Sequence, residues 1–243
     1  MTGSSITVGI ISYDHAHLKT EQLVNRLLLK RRRPDGCQLT IKVLALPFSP
    51  RPARNVLFNH RPDQEKSIST RELAHFYQLE FLLCTYDSIP DVADYYLVGG
   101  AGIFSAEAIG EKKIINAHPG IIPSARGLDA FKWSILNGVP LGVTLHLIDA
   151  QVDAGEMIAV FETPVFPSDT IEVLARRHYE LELDVLSESI RVLNQPRFLP
   201  TNYPANAPRM RMPFAAEKDM LEKFNEYRLK FSGGWSSWAT FTQ

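Results

Sequence analysis

Through the first two-thirds of the chain, short apolar runs alternate with stretches whose apolar residues recur at helical spacing, and this alternation limits the fold more than any other feature. Residues 6–11 (Ile-Thr-Val-Gly-Ile-Ile) form a short run rich in β-branched residues and read as a buried strand. Leu23, Val24, Leu27 and Leu28 then fall on one helical face within residues 21–30, and Pro34-Asp35-Gly36 ends that helix. Further strands are predicted over residues 40–46, 81–83, 95–98 and 113–116, with a helix over 71–78 that Thr70 can cap. Strands alternating with helices imply βαβ units and a mostly parallel sheet, so the expected class is α/β, of Rossmann-like form. Such sheets offer ligands the carboxyl ends of their strands. After Gly142 two more strands are predicted, at 142–148 and 157–161. A long amphipathic helix follows to about residue 193, capped by Asp169 or Thr170. Pro196, Pro200, Pro204, Pro208 and Pro213 make residues 195–214 an extended loop, followed by a charged helix over about 215–230 and a Trp-containing tail. The expected division is a main domain over 1–194 and a C-terminal extension over 195–243.

Composition removes several classes of function. The chain has 243 residues and a net charge of −1, so no global field draws it to nucleic acid or to an anionic membrane. No apolar run approaches the roughly 20 residues that span a bilayer. The first residues lack the basic start and small-residue cleavage site of a secretion signal. Cys37 and Cys84 are far apart and have no ligand-type neighbours, which argues against a disulfide framework and a zinc site. The expectation is a soluble, cytoplasmic protein without a metal.

Chemistry concentrates in Asn116-Ala117-His118-Pro119-Gly120-Ile121-Ile122-Pro123-Ser124-Ala125-Arg126-Gly127. On an extended strand Asn116 and His118 share a face. Pro119 and Pro123 stiffen the turn that leaves it. A second polar group, Thr144, His146, Asp149 and Asp153-Ala154-Gly155, follows. Acyl transfer to an amine has uses for each type. An amide N–H stabilises a developing oxyanion, a histidine moves or lends a proton, and a carboxylate tunes the histidine or relays protons. No covalent nucleophile is needed. Taken alone, Asn-x-His at a strand end can equally serve loop backbone groups, and Asp-Ala-Gly can be an ordinary turn.

The first block resembles the Asn-x-His-Pro-Ser-Leu-Leu-Pro-x-x-(Lys/Arg)-Gly signature of the folate-dependent formyltransferases. The run from Gly142 to Ile158 resembles that family's second block, Gly-x-Thr-x-His-x-Val-Asp-x-x-Val-Asp-x-Gly-x-Ile. The likeness is strong over about residues 93–160 and weak before them. It departs at Gly120, where the family usually has Ser. The resemblance implies a formyltransferase catalytic domain in which Asn116, His118 and Asp153 form the catalytic set. It also implies 10-formyltetrahydrofolate as co-substrate, held by backbone groups of Gly102, Ile103 and Phe104 and by the Asp149, Gln151, Val152 loop. The glycine run at 99–102 lacks the spacing and strand context of a dinucleotide site.

The acceptor is read from loops. Purine-pathway formyltransferases hold a ribose phosphate in a Gly- and Ser-rich loop after the first strand. This chain has Ser12-Tyr13-Asp14-His15-Ala16-His17-Leu18-Lys19-Thr20 there, which disfavours glycinamide ribonucleotide. His15, His17 and Lys19 can meet an anionic acceptor or be solvated turn residues. Arg51, Arg54, His60 and Arg61 can grip a diphosphate or a carboxylate, or be solvated likewise. Residues 195–243 are too short and too weakly basic for a tRNA-binding domain. The leading expectation is a small-molecule amine, a nucleotide-linked amino sugar used in surface polysaccharides. Hydroxyornithine-type amines, glycinamide ribonucleotide and a non-catalytic folate- or nucleotide-binding regulator are the alternatives. Trp235, Trp238 and Phe241 can cover the domain, line the acceptor pocket or join two copies as a homodimer.

Overall fold

The computed structural model describes residues 5–31, 38–50, 52, 54–149, 155–193 and 205–233. Its centre is one seven-stranded sheet in the order β3-β2-β1-β4-β5-β6-β7. The strands are β1 (Ser5–Tyr13), β2 (Gln38–Leu46), β3 (Glu80–Leu83), β4 (Tyr95–Val98), β5 (Ile114–His118), β6 (Gly142–Leu147) and β7 (Met157–Glu162). β1 to β5 run parallel, while β6 and β7 pair antiparallel. The chain moves outward from β1 through β2 to β3, then returns to the other side of β1 with β4. That reversal splays the connections after β1 and β4 apart and opens a crevice at their carboxyl ends.

Helices cover both faces. α1 (Leu18–Leu29) and α5 (Ile171–Ser187) pack together over one face, where Leu23, Val24, Leu27, Leu181 and Val185 join the strand residues Val8, Ile10, Leu97 and Ile115. The parallel strands are buried on both sides, which is why they read as continuous apolar runs rather than alternating ones. α2 (Thr70–Phe76) is capped by Ser69, not Thr70: the Ser69 hydroxyl accepts from the Glu72 amide, and the Glu72 carboxylate accepts from the Ser69 amide. The single helix expected to residue 193 divides into α5 and α6 (Ser189–Leu193). Ser187 Oγ donates to the Asp184 carbonyl at 2.9 Å, a back-bond that competes with the regular ladder just before Glu188.

Two helices lie outside the periodic reading. α3 (Ala106–Ile109) is one turn capped by Ser105, and α4 (Ala130–Asn137) follows directly on the signature loop. α4 is largely apolar and buried, so it carries little amphipathic period. Against it packs α7 (Phe214–Phe231), with Phe131, Ile135, Met212, Met220, Phe224 and Tyr227 in a shared core. Lys132 on α4 and Glu217 on α7 form a buried ion pair at 2.5 Å, and the second Glu217 oxygen accepts from the Leu57 amide at 2.6 Å. Removing one member of such a pair strands the other charge, at a cost of about 3–5 kcal/mol. Lys132→Met is therefore expected to lower unfolding stability by that amount in urea titration, and the double variant Lys132→Met/Glu217→Leu by less than the single one. Equal losses in the two would show that the pair is not what joins α4 to α7.

Candidate active site

The crevice is a cleft of about 1150 Å³. Its catalytic wall is the end of β5. The antiparallel register sets Asn116 opposite His146 and His118 opposite Thr144. Asn116 Nδ2 lies 3.2 Å from His146 Nε2, and His146 Nδ1 lies 3.1 Å from the Leu147 carbonyl oxygen. A carbonyl can only accept, so His146 carries its proton on Nδ1 and offers Nε2 as the acceptor for one amide N–H of Asn116. The second amide N–H of Asn116 is thereby given a fixed direction.

His118 is buried, with its Nε2 2.6 Å from the Ala125 carbonyl oxygen. By the same logic Nε2 holds a proton, and Nδ1 is the ring nitrogen through which a further proton can be exchanged. The turn that brings Ala125 there is fixed from behind. Thr144 Oγ1 accepts from the Ile122 amide at 3.0 Å and donates to the Gly120 carbonyl at 2.7 Å. His178 on α5 receives the Thr163 hydroxyl on Nδ1 at 2.7 Å and donates from Nε2 to the Pro119 carbonyl at 3.2 Å. Burial holds its pKa down at about 4, so it serves as a neutral strut.

The opposite wall is the segment after β4. Phe104 is buried, Ile103 is exposed, and the loop lines the cleft with its backbone. Among the described residues the amides of Gly102, Ile103 and Phe104 meet no protein acceptor, whereas those of Gly99 and Gly100 both bond to Ile11. Open backbone groups beside a cleft fit a flat heterocycle that carries its own donors and acceptors. Tyr86 lies behind the loop, at 3.2 Å from where a Cβ on Gly102 would sit.

Residues 97–190 match the family model for formyl transferase. Over this stretch the chain is similar to the formyl transferases. The chain is 40% identical over 77 residues to the methionyl-tRNA formyltransferase of Koribacter versatilis, covering 31% of this chain and 25% of that relative. It is 34% identical over 74 residues to the phosphoribosylglycinamide formyltransferase of Haemophilus influenzae, covering 30% of this chain and 35% of the relative. The matches span only about a quarter to a third of these curated relatives' length. Among solved structures, a sugar N-formyltransferase from Shewanella sp FDAARGOS_354 shares the fold. Its TM-score is 0.56 at 17% identity, over 90% of this chain and 87% of that one.

The cleft gathers Asn116, His118, Gly102, Ile103, Phe104, Asp149, Lys19 and Arg54. Asp153, Gln151, Val152 and Arg51 lie outside the described residues, as does the Trp235–Trp238 tail. His15 stands away from the cleft, stacked on Phe48 at 4.0 Å between ring centroids, while His17 lines the cleft. Lys19 is not an unpaired cation: it meets Glu182 of α5 at 2.6 Å, and Glu182 also takes Arg61 at 2.6 Å. Burial pushes the Glu182 carboxyl up, but Arg61 and Lys19 outweigh it and hold it at about 2. Arg54 donates to the Met212 carbonyl and faces Asp129 at 3.8 Å. Glu182 was missed in the sequence, although a glutamate beside Leu181 on an apolar helical face was a usable signal.

Gly120 is required by this geometry. A Cβ there would stand 2.3 Å from the Ala125 oxygen and 2.8 Å from His118 Nε2. Gly120→Ser is expected to displace the Ala125 carbonyl, to change the His118 ring proton resonance in NMR and to cost about 1–3 kcal/mol. An unchanged resonance would mean that the turn has another way to hold His118.

Acid should weaken the fold in two steps. Between about pH 6.5 and 4 the unfolded chain binds protons that His178 and His17 do not, so stability falls as pH drops, by up to about 1.4 kcal/mol per pH unit for each. Below about pH 4.5 the Glu182 contribution is lost in turn, down to about pH 2. Denaturant titrations across this range check the order, and His178→Gln should remove its own share of the upper step and leave the lower one unchanged.

Proposed function

We propose that this protein transfers a formyl group from 10-formyltetrahydrofolate to a primary amine carried by a nucleotide-linked sugar. The observation that carries the reaction is Asn116 beside His118 at the end of β5, lining the same cleft as the open backbone edge at 102–104. The co-substrate, when bound, supplies a formyl carbonyl attached to a nitrogen that can leave. Backbone groups at 102–104 hold its ring system and direct that carbonyl toward β5. Asn116 gives its second amide N–H to the carbonyl oxygen as negative charge gathers there, with His146 fixing the amide. His118, its Nε2–H spent on Ala125, can relay a proton through Nδ1. Asp153 assists removal of the amine's proton, which ends on the leaving nitrogen. One C–N bond forms and one breaks, giving a formamide and tetrahydrofolate.

The start of α1 supports a sugar acceptor over a purine one. His17 offers no side-chain cap, so the first-turn amides of α1 point outward as an anion site. Gln64 fills that site: the Leu18 amide donates to its backbone carbonyl at 2.8 Å and the Lys19 amide to its Oε1 at 3.0 Å. Lys19, the adjacent cation, is already paired with Glu182. A ribose phosphate finds both of its natural partners there occupied. The protein acts on small molecules, in the cytoplasm; among the described residues no helix is long and apolar enough to cross a membrane.

Tetrahydrofolate release followed across nucleotide-linked amino sugars, glycinamide ribonucleotide and hydroxyornithine tests the reading, with turnover expected on an amino sugar. Asn116→Ala and Asp153→Asn should each slow transfer by about 10²–10⁴-fold while melting temperature holds. Near-normal rates in either variant would sink the mechanism.

A further inference from the structure

An acceptor that carries a diphosphate needs a cation the protein has not already used. Six lysines and arginines line the cleft. Five of them are engaged: Lys19 and Arg61 with Glu182, Arg54 with Met212 and Asp129, Lys132 with Glu217, and Arg211 as well. Arg209 differs, because it meets no carboxylate among the described residues. Its guanidinium carbon instead lies 4.5 Å from the centroid of the Trp133 ring.

The backbone of this arginine is fixed while its side chain stays exposed. Residues 205–213 form a strap across the signature loop. The Arg209 amide donates to the Arg126 carbonyl at 3.0 Å, and the Arg209 carbonyl accepts from Leu128 at 2.8 Å. On one side Asn206 donates through its amide to Pro123 and through its side chain to Ser124. On the other the Met212 amide donates to Asp129 Oδ2 at 2.9 Å. Trp133 is itself tied to the strap, its indole N–H donating to the Met210 carbonyl at 2.9 Å. Gly127, the last glycine of the signature block, admits the strap: a Cβ there would stand 2.2 Å from the Arg209 oxygen, and its φ is +85°. A guanidinium lying over an indole keeps its edge N–H groups directed outward, in the fork geometry that suits two phosphate oxygens.

We propose that Arg209 is a specificity-determining residue that binds the diphosphate of the acceptor at the rim of the cleft, leaving the uncharged sugar to reach Asn116 and His118. The assignment rests on the formyl-transfer reading for what the site does, but not for the anion site itself. Deeper in the cleft the charges are paired and His17 is held neutral, its pKa lowered to about 4 by burial and by Lys19 and Arg61. An anion is therefore best met at the rim.

The test is calorimetric titration of the full chain with UDP, inorganic pyrophosphate and inorganic phosphate at low salt, in wild type, Arg209→Ala and Arg209→Lys. Binding of 5-formyltetrahydrofolate and thermal melting serve as controls for an intact fold and folate site. UDP and pyrophosphate should bind wild type better than phosphate does. Arg209→Ala should weaken UDP by about 10-fold or more, and Arg209→Lys should recover only part of that. If an amino sugar proves to be a substrate, Arg209→Ala should raise its KM by a similar factor with kcat within about twofold. Wild type that binds none of the three anions, or Arg209→Ala that binds UDP unchanged, overturns the proposal while leaving formyl transfer standing. UDP binding that depends on Arg209, with no turnover of any amine, supports the anion site and sinks the formyl-transfer reading.

Discussion

Everything in the cleft depends on the register between β5 and β6. Two antiparallel strands at the end of an otherwise parallel sheet place Asn116 opposite His146 and His118 opposite Thr144. A slip of one residue would turn each side chain to the other face of the sheet. The hydrogen bonds that give the site its proton positions then follow. His146 can orient the Asn116 amide because Leu147 fixes its tautomer. His118 can meet Ala125 because Thr144 and His178 hold the intervening turn at its carbonyls and amide. Gly120 completes this arrangement by leaving room for the Ala125 oxygen.

Around that wall the protein joins distant segments with buried charge. Glu182 draws together residues 19 and 61, and Glu217 draws together residues 57 and 132. Asp129 links residues 54 and 212. Buried pairs contribute little net stability against apolar replacements of equal volume, since desolvation offsets their attraction. Their value here is positional, because an unpaired partner in the interior costs several kcal/mol and alternative packings are thereby excluded. A consequence for function is that most cations near the cleft are spoken for, so recognition of an anion falls to the few that are not.

The sequence by itself determined the sheet, because buried parallel strands must be short β-branched runs and the helices between them must show a 3.6-residue period. β1, β2, α1, β4 and α7 were legible within a few residues for that reason. It also determined that Asn116 and His118 share a face, since alternation along a strand is a local property. What the sequence could not contain is which partner each polar group meets. Lys19 and the arginines at 54 and 61 read as open cations because their carboxylates lie more than seventy residues away and arrive only with α5 and α4. α4 had no period to read because it is buried nearly all round. Gln64 at the start of α1, and Arg209 over Trp133, are pairings across loops that carry no periodicity at all. Only the tertiary structure decided them, because hydrogen bonds and ion pairs are satisfied by proximity in space, and loop sequences do not encode how far the chain returns.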